Sequence, residues 1–148
     1  MLELALFRTI VEHTPLISID LIIYNHKGEV LLGKRKNAPA KNFYFVPGGR
    51  IYKNEKIEDA FQRVCLSELG MSVDLSAAQF IGVFEHFYAD SFVSKDVTTH
   101  YLVLAYKLLL NLELKELPSA QHNEYIFIDA QHANCHGQVH TYTQQYFN

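Results

Sequence analysis

Residues 49–71, GRIYKNEKIEDAFQRVCLSELGM, carry the pattern that decides the fold. Apolar side chains recur across the second half of this stretch with the 3.6-residue period of an amphipathic helix. Acidic residues come early, where the helix dipole favours negative charge. Asn54 is expected to cap the start of the helix, and Gly70 is expected to end it. The stretch therefore predicts a loop followed by a helix over residues 55–69.

The flanking sequence predicts strands on both sides of this helix. Apolar alternation over residues 16–24, a turn at 25–28 and a second apolar run at 30–34 indicate a hairpin. The aromatic run 43–46 predicts a strand that ends in a tight loop at Pro47-Gly48-Gly49. The remaining predicted elements are strands at 80–88, 98–107 and 125–129 and a short helix at 139–147. This order favours an α/β fold in which helices enclose a mixed sheet.

The composition narrows the class of protein. A chain of 148 residues, 49% apolar, fits one globular domain with one core. Its net charge of −3 gives no support to a nucleic-acid partner. The longest apolar run is too short to cross a bilayer, and residues 1–7 lack the basic start of a signal peptide. Two unrelated cysteines are expected to be reduced thiols, so the expected location is cytoplasmic.

One helix face in residues 49–71 is a candidate metal site. Positions 64, 67 and 68 are three and four residues apart, so their side chains share that face. Only Glu68 among them is a carboxylate, because the other two are Val64 and Ser67. One or two carboxylates with water and phosphate oxygens are enough for Mg²⁺, whereas a cluster of ions needs more. Glu68 is therefore interpreted as the ligand of a single ion, in preference to an ordinary solvated carboxylate.

The spacing of this stretch resembles the Nudix box, a loop–helix–loop of hydrolases that act on nucleoside diphosphates linked to another group. The matching positions are Gly49, Glu55, Arg63, Glu68 and Gly70. Val64 and Ser67 stand where the family pattern has two further glutamates. Glu55 and Arg63 are interpreted as a structural ion pair that holds the loop. The resemblance implies the Nudix α/β/α sandwich as the fold.

Within that superfamily, the depleted box and most of the chain resemble the GDP-mannose mannosyl hydrolases. The segments that carry the likeness are 14–16 (TPL), 32–35 (LGKR), 45–50 (FVPGGR), 84–88 (FEHFY), 98–101 (TTHY) and 121–122 (QH). The resemblance implies hydrolysis of GDP-mannose, and of GDP-glucose, to GDP and free sugar with inversion at the anomeric carbon. It also implies a homodimer, with no membrane or nucleic-acid partner.

The resemblance implies one metal ion, Mg²⁺ or alternatively Mn²⁺, in each active site. Glu68, the carbonyl of Gly48 or Gly49 and the side chain of Gln121 match the ligand positions. His122 matches the general base. An imidazole with an ordinary pKa near 6.5 can take a proton from water at neutral pH, which typically contributes about 10²–10⁴ in rate.

The resemblance also assigns candidate substrate contacts. Arg35 and Arg50 match residues that face the phosphates and the leaving group, Tyr101 one that bonds the diphosphate, and Asp20 and His86 ones near the sugar. Lys34 and Lys36 flank Arg35, and their like charges indicate an anion site, which makes Lys36 a further candidate. Phe7 and Arg8 are expected to reach across the dimer to the partner's nucleotide pocket.

Two other functions fit the same residues. One is a Nudix pyrophosphohydrolase that attacks phosphorus, which the two missing glutamates disfavour. The other is a nucleotide-binding module that has lost catalysis.

Attack of water at the anomeric carbon expels a diphosphate, so cations that stabilise the developing charge favour cleavage of the sugar bond.

Overall fold

The computed structural model describes residues 2–118 and 122–147, and of His122 and Asn123 it describes the backbone alone. The helices are α1 (Leu4–His13), α2 (Ile57–Leu69), α3 (Ala130–Ala133) and α4 (Thr141–Gln144). The strands are β1 (Leu16–Tyr24), β2 (Glu29–Arg35), β3 (Tyr44–Phe45), β4 (Gly48–Arg50), β5 (Gln79–Tyr88), β6 (Thr99–Leu109) and β7 (His122–Asp129). Three short 3₁₀ turns complete the chain, at Leu75–Ala77, Leu114–Glu116 and Gln145–Phe147.

The strands form a seven-stranded mixed sheet, as predicted. Its main order is β3-β2-β1-β6-β5, while β4 pairs with β1 and β7 pairs with β2. β1 and β6 run parallel, and the other pairs are antiparallel. The family resemblance predicted this architecture, a mixed sheet with helices on its faces, and the prediction is confirmed.

The predicted hairpin of β1 and β2 opens immediately after its turn. The two strands pair only at Tyr24 and Val30, beside the turn in which Gly28 has φ 77°. Further along, β4 pairs with β1 and β7 pairs with β2, so the two strands separate. Side chains from the first half of β1 and residues of β4 line a cleft, and this cleft contains the candidate site.

The alternation of β1 divides the core between the two faces of the sheet. Ile19, Leu21 and Ile23 are buried on the face that packs against α2, as the alternation predicts, whereas Ile17 in the same alternation is 47% exposed. Ile22 is buried on the opposite face, in a cluster that includes Val139 ahead of α4. α2 is therefore fixed against one face while the C-terminal segment covers part of the other.

The predicted start of α2 was wrong by two residues. The helix begins at Ile57 with Lys56 at the capping position, and no side chain caps it. Asn54 has φ 68°, a left-handed conformation that asparagine tolerates in turns, so it shapes the preceding loop. Gly70 ends the helix at φ 75°, as predicted.

The predicted tight loop at Pro47-Gly48-Gly49 is instead the start of β4. Gly48 pairs with Asp20 and Gly49 with Ile19. A Cβ on Gly48 would lie 2.5 Å from the Ile19 carbonyl oxygen and 2.6 Å from Oδ1 of Asp20. Glycine is required at position 48 because the backbone there approaches β1 and the Asp20 carboxylate too closely for any side chain.

The sequence did not predict α1, which covers one end of the cleft. Val11 is buried with Leu16 and Val97, and Phe7 packs against that cluster. Across the described ranges, no helix combines the length and apolar character needed to span a membrane.

Candidate active site

The cleft beside β1 contains a cavity of about 660 Å³. Most of the predicted site residues line it. They are Phe7, Asp20, Arg35, Gly48, Gly49, Arg50, Glu68, His86 and Tyr101. The structure therefore brings together residues from the N-terminal helix, five strands and α2 that are distant in sequence.

The helix α2 places Glu68 at the floor of this cavity. Val64 and Cys65 are buried in the core on the same helix, as predicted, and their packing fixes its rotation. The Glu68 side chain is 4% exposed, and its Oε1 accepts a hydrogen bond of 3.3 Å from the Gly48 amide. Burial raises the pKa of Glu68 to about 7, and the charge of the nearby Asp20 adds to the rise. The hydrogen bond from Gly48 and the charge of Arg35 act in the opposite direction and lower this pKa.

Asp20 approaches the same glycine from β1. Its Oδ1 lies 2.6 Å from the point that a Cβ on Gly48 would occupy. Burial raises the pKa of Asp20 to about 7, against a hydrogen bond from Tyr146 and the charge of Arg35. Two carboxylates, each disfavoured in its ionised form by burial, thus flank the Gly48 backbone.

This arrangement fits a single hard divalent cation. Carboxylate and carbonyl oxygens are the ligands that Mg²⁺ takes, and one or two carboxylates are usual beside phosphate oxygens and water. A cation near Gly48 would offset the electrostatic cost of ionising Glu68 next to Asp20. Among the described side chains, no group of three or more His, Cys, Asp and Glu residues forms a metal site.

Two arginines bring positive charge to the cavity. The Arg35 guanidinium lies 5.5 Å from the centre of the Phe45 ring, and its charge acts on the pKa values of both carboxylates. The Arg50 guanidinium lies 5.0 Å from the Phe7 ring centre and 4.9 Å from that of Tyr52. Aromatic faces hold planar guanidinium groups in place while their N–H donors stay available, as phosphate binding requires.

The expectation that Phe7 and Arg8 reach across a dimer concerns a partner chain and stays a prediction. Phe7 stacks on Arg50 of its own chain and lines the cavity of its own chain. Arg8 is exposed, and neither Arg8 nor Lys36 belongs to the lining formed by the described residues. The aromatic contact of Phe7 could not be predicted because α1 itself was not predicted.

His86 and Tyr101 lie side by side at the far wall, since they are register partners on β5 and β6. The His86 ring is 4% exposed and stacks on Tyr142 at 4.5 Å. Burial, with a contribution from His140, lowers the pKa of His86 to about 4, so the imidazole is neutral at pH 7. Burial raises the pKa of Tyr101, which therefore stays a neutral donor.

Two predicted residues fall at the edge of what the structure describes. Gln121 lies outside the described residues. The backbone of His122 begins β7 and pairs with Arg35 on β2. This register brings the His122 backbone beside a cavity-lining arginine.

Three residues in or behind the cavity wall were not predicted from the sequence. Tyr146 donates a hydrogen bond of 2.6 Å to Oδ2 of Asp20, although 126 residues separate them. Tyr88 and Phe45 line the cavity itself. No spacing in the sequence links them to the site, because the sheet alone brings them there.

The predicted ion pair of Glu55 and Arg63 is confirmed. Arg63 Nε donates to Glu55 Oε2 at 2.7 Å and Nη2 to Oε1 at 2.9 Å. The same Nη2 also donates to the Arg50 carbonyl at 2.7 Å, and Glu55 accepts from the Tyr52 amide. The pair therefore ties the loop before α2 to the helix and supports the backbone of Arg50.

We expect Glu55→Gln to lower the free energy of unfolding by about 2 kcal/mol, or roughly 4–8 °C in Tm, as for loss of a charged hydrogen bond. The hydrogen bonds from Arg63 hold the pKa of Glu55 below its usual 4.5. Its stabilisation is therefore complete above that value and is lost as the pH falls below it. Thermal unfolding from pH 7 to pH 3 should show the deficit shrinking in acid. Glu58→Gln, an exposed carboxylate of α2, is the control, and an equal deficit there would contradict the ion-pair account.

Comparisons with known proteins agree with this fold. The model of the NUDIX domain matches residues 14–144. The low-salt glycan biosynthesis protein Agl8 of Haloferax volcanii is 40% identical over 136 residues, which cover 92% of this chain and 85% of that protein.

Solved structures share the architecture. The MutT protein of Methanosarcina mazei superposes with a TM-score of 0.73 at 18% identity, over 91% of this chain and 92% of that one. The dihydroneopterin triphosphate pyrophosphohydrolase of E. coli gives a TM-score of 0.67 at 21% identity, over 88% and 91%. The family model covers most of the chain, and its loop–helix–loop forms the floor of the cavity. The chain belongs to the Nudix hydrolase family.

Proposed function

We propose that the protein hydrolyses GDP-mannose, and also GDP-glucose, to GDP and free sugar with inversion at the anomeric carbon. The observation that carries the proposal is the Glu68 site: the metal face of the Nudix helix is reduced to one buried carboxylate, and the Asp20 carboxylate also lies beside Gly48. A site with so few carboxylates suits one Mg²⁺, with Mn²⁺ as the alternative ion. The 40% identical relative named for glycan biosynthesis supports a sugar-nucleotide substrate.

The proposed roles follow the positions of the side chains. Glu68, a carbonyl of Gly48 or Gly49 and Gln121 would hold the ion, which would offset negative charge on the diphosphate leaving group. Arg35 and Arg50 line the same cavity and donate to the phosphates, with Tyr101 beside them.

The chemical step needs one water molecule. Its oxygen forms a bond to the anomeric carbon, and His122 accepts its proton. The bond between that carbon and the phosphate oxygen breaks, and its electron pair stays on GDP. Asp20 and His86 lie at the wall where the sugar is expected, and the neutral imidazole of His86 offers hydrogen bonds without adding a charge. The proposal also expects the protein to act as a homodimer.

Hydrolysis in ¹⁸O-labelled water tests this reaction. We expect the label in the hexose and none in GDP, because water attacks carbon, with GDP and mannose as the products. Mass spectrometry of both products and an inversion assay by proton NMR make the measurement. Label in a phosphate, with GMP and mannose 1-phosphate as products, would show attack on phosphorus. Binding of GDP without turnover of any sugar nucleotide would instead indicate a binding module.

A further inference from the structure

The C-terminal segment, α4 with the 3₁₀ turn Gln145–Phe147, forms the back of the wall at which the sugar is expected. Tyr142 stacks on His86, and its hydroxyl bonds the backbone amide and carbonyl of Phe87 at 3.0 and 2.9 Å. Gln145 Nε2 lies 3.5 Å from His86 Nε2. The segment therefore contacts β5 directly behind residues assigned to the sugar.

Tyr146 of this segment reaches β1 and contacts Asp20. Its hydroxyl donates to Oδ2 of Asp20 at 2.6 Å, and its ring meets Phe84 edge-on with centroids 4.9 Å apart. The ring is thus held on one side by an aromatic partner while the hydroxyl is aimed at the carboxylate. This bond engages one of the two Asp20 oxygens.

The other oxygen of Asp20, Oδ1, lies beside the bare backbone of Gly48, whose amide donates to Glu68. Asp20, Gly48 and Glu68 all line the cavity. An aspartate side chain has two rotatable bonds, and without a partner for Oδ2 the carboxylate would turn among several orientations. The hydrogen bond from Tyr146 selects the orientation in which Oδ1 is presented to a ligand.

We propose that Tyr146 is a positioning residue, which holds the Asp20 carboxylate so that Oδ1 receives a hydroxyl group of the sugar. This inference rests on the proposed function and deepens it, because it assigns a second residue to recognition of the hexose. Holding a polar group in its bound orientation before the substrate arrives removes part of the entropic cost of binding and reaction.

The test is Tyr146→Phe, which removes the hydroxyl and keeps the ring against Phe84. We expect kcat/KM for GDP-mannose to fall by about 10- to 100-fold, the usual effect of one hydrogen bond to a charged group. Inhibition by GDP should change by less than about twofold, since GDP lacks the hexose. The double variant with Asp20→Asn should be no slower than Asp20→Asn alone, because Tyr146 acts through Asp20.

Tyr142→Phe is the matched control. It removes a hydroxyl that ties the same segment to β5, and it leaves the bond between Tyr146 and Asp20 in place. An equal loss in Tyr142→Phe, or losses in the double variant that multiply, would overturn the inference and leave only a structural role. If the unaltered protein releases no hexose from GDP-mannose or GDP-glucose, the proposed function fails first. If it releases hexose and the losses multiply, only the role of Tyr146 fails.

Discussion

Glu68→Gln is expected to abolish most hydrolysis while leaving the metal-free protein at least as stable as the unaltered one above pH 7. The two effects separate because the proposed metal site needs the charge of this carboxylate, whereas burial disfavours that charge in the metal-free fold. Glu68 is buried, and the Gly48 amide donates to it a hydrogen bond that the carbonyl oxygen of Gln can equally accept. The variant keeps the shape of the side chain and loses only its charge.

The expected loss of activity follows from the role of the ion. A divalent cation at a diphosphate contributes several kcal/mol to stabilising the transition state, so its loss lowers kcat by about 10³-fold or more. Steady-state kinetics with Mg²⁺ and with Mn²⁺ measure this. A variant within tenfold of the unaltered protein would remove Glu68 from the metal site.

The expected stability has a definite pH dependence. Burial raises the pKa of Glu68 to about 7 from 4.5, so folding favours the protonated form. Glu68 therefore contributes stability to the metal-free protein that is complete below pH 4.5 and is lost as the pH rises through 7. Glu68→Gln removes that titration. Thermal unfolding in EDTA from pH 5 to pH 8 should show a smaller decline for the variant than for the unaltered protein.

Added metal provides the second half of the measurement. At 100 times its Kd, Mg²⁺ should stabilise the unaltered protein by about 2.7 kcal/mol, which is roughly 5–10 °C in Tm for a chain of this length. Glu68→Gln should show little of this shift. Asp59→Asn, at an exposed carboxylate of the first turn of α2, is the control and should keep the full shift. An equal shift in Glu68→Gln would contradict ligation.

The sequence predicted those features of the fold that depend on residues close together in the chain. The alternation of β1 identified its buried face, and the helical period with Gly70 located α2 and its end. Asn54 was misassigned because a short polar residue suits both a helix cap and a left-handed turn, and only the path of the loop decides between them.

The contacts that escaped prediction join residues distant in the chain. Asp20 pairs with Gly48 of β4, and Tyr146, 126 residues further on, donates a hydrogen bond to its carboxylate. Phe7 reaches Arg50 because α1 packs over the same end of the sheet. The spacing of the Nudix box predicted Glu68. The opposite wall of the cavity is formed by strands β5 and β6, and no spacing in the sequence predicts how these strands pair.

His122→Gln is the second variant with a large expected effect. The register of β7 with β2 pairs the His122 backbone with that of Arg35, a residue that lines the cavity. If His122 accepts the proton of the attacking water, its replacement removes general-base catalysis, and kcat should fall by about 10²–10⁴. The affinity for GDP-mannose, measured by calorimetry, should change by only a few-fold, because the metal site and the arginines remain.

A general base leaves a signature in the pH profile that a binding residue does not. For the unaltered protein, kcat should fall in acid as the base becomes protonated. For His122→Gln, kcat should depend much less on pH over the same acid range. The exposed His132 provides the matched control, and His132→Gln should retain both rate and profile. A His122→Gln protein with unchanged kcat would transfer the proton step to another group. If His122→Gln binds substrate more weakly but its kcat still falls in acid as in the unaltered protein, proton transfer does not depend on this imidazole. His122 would then be a residue that contacts the substrate.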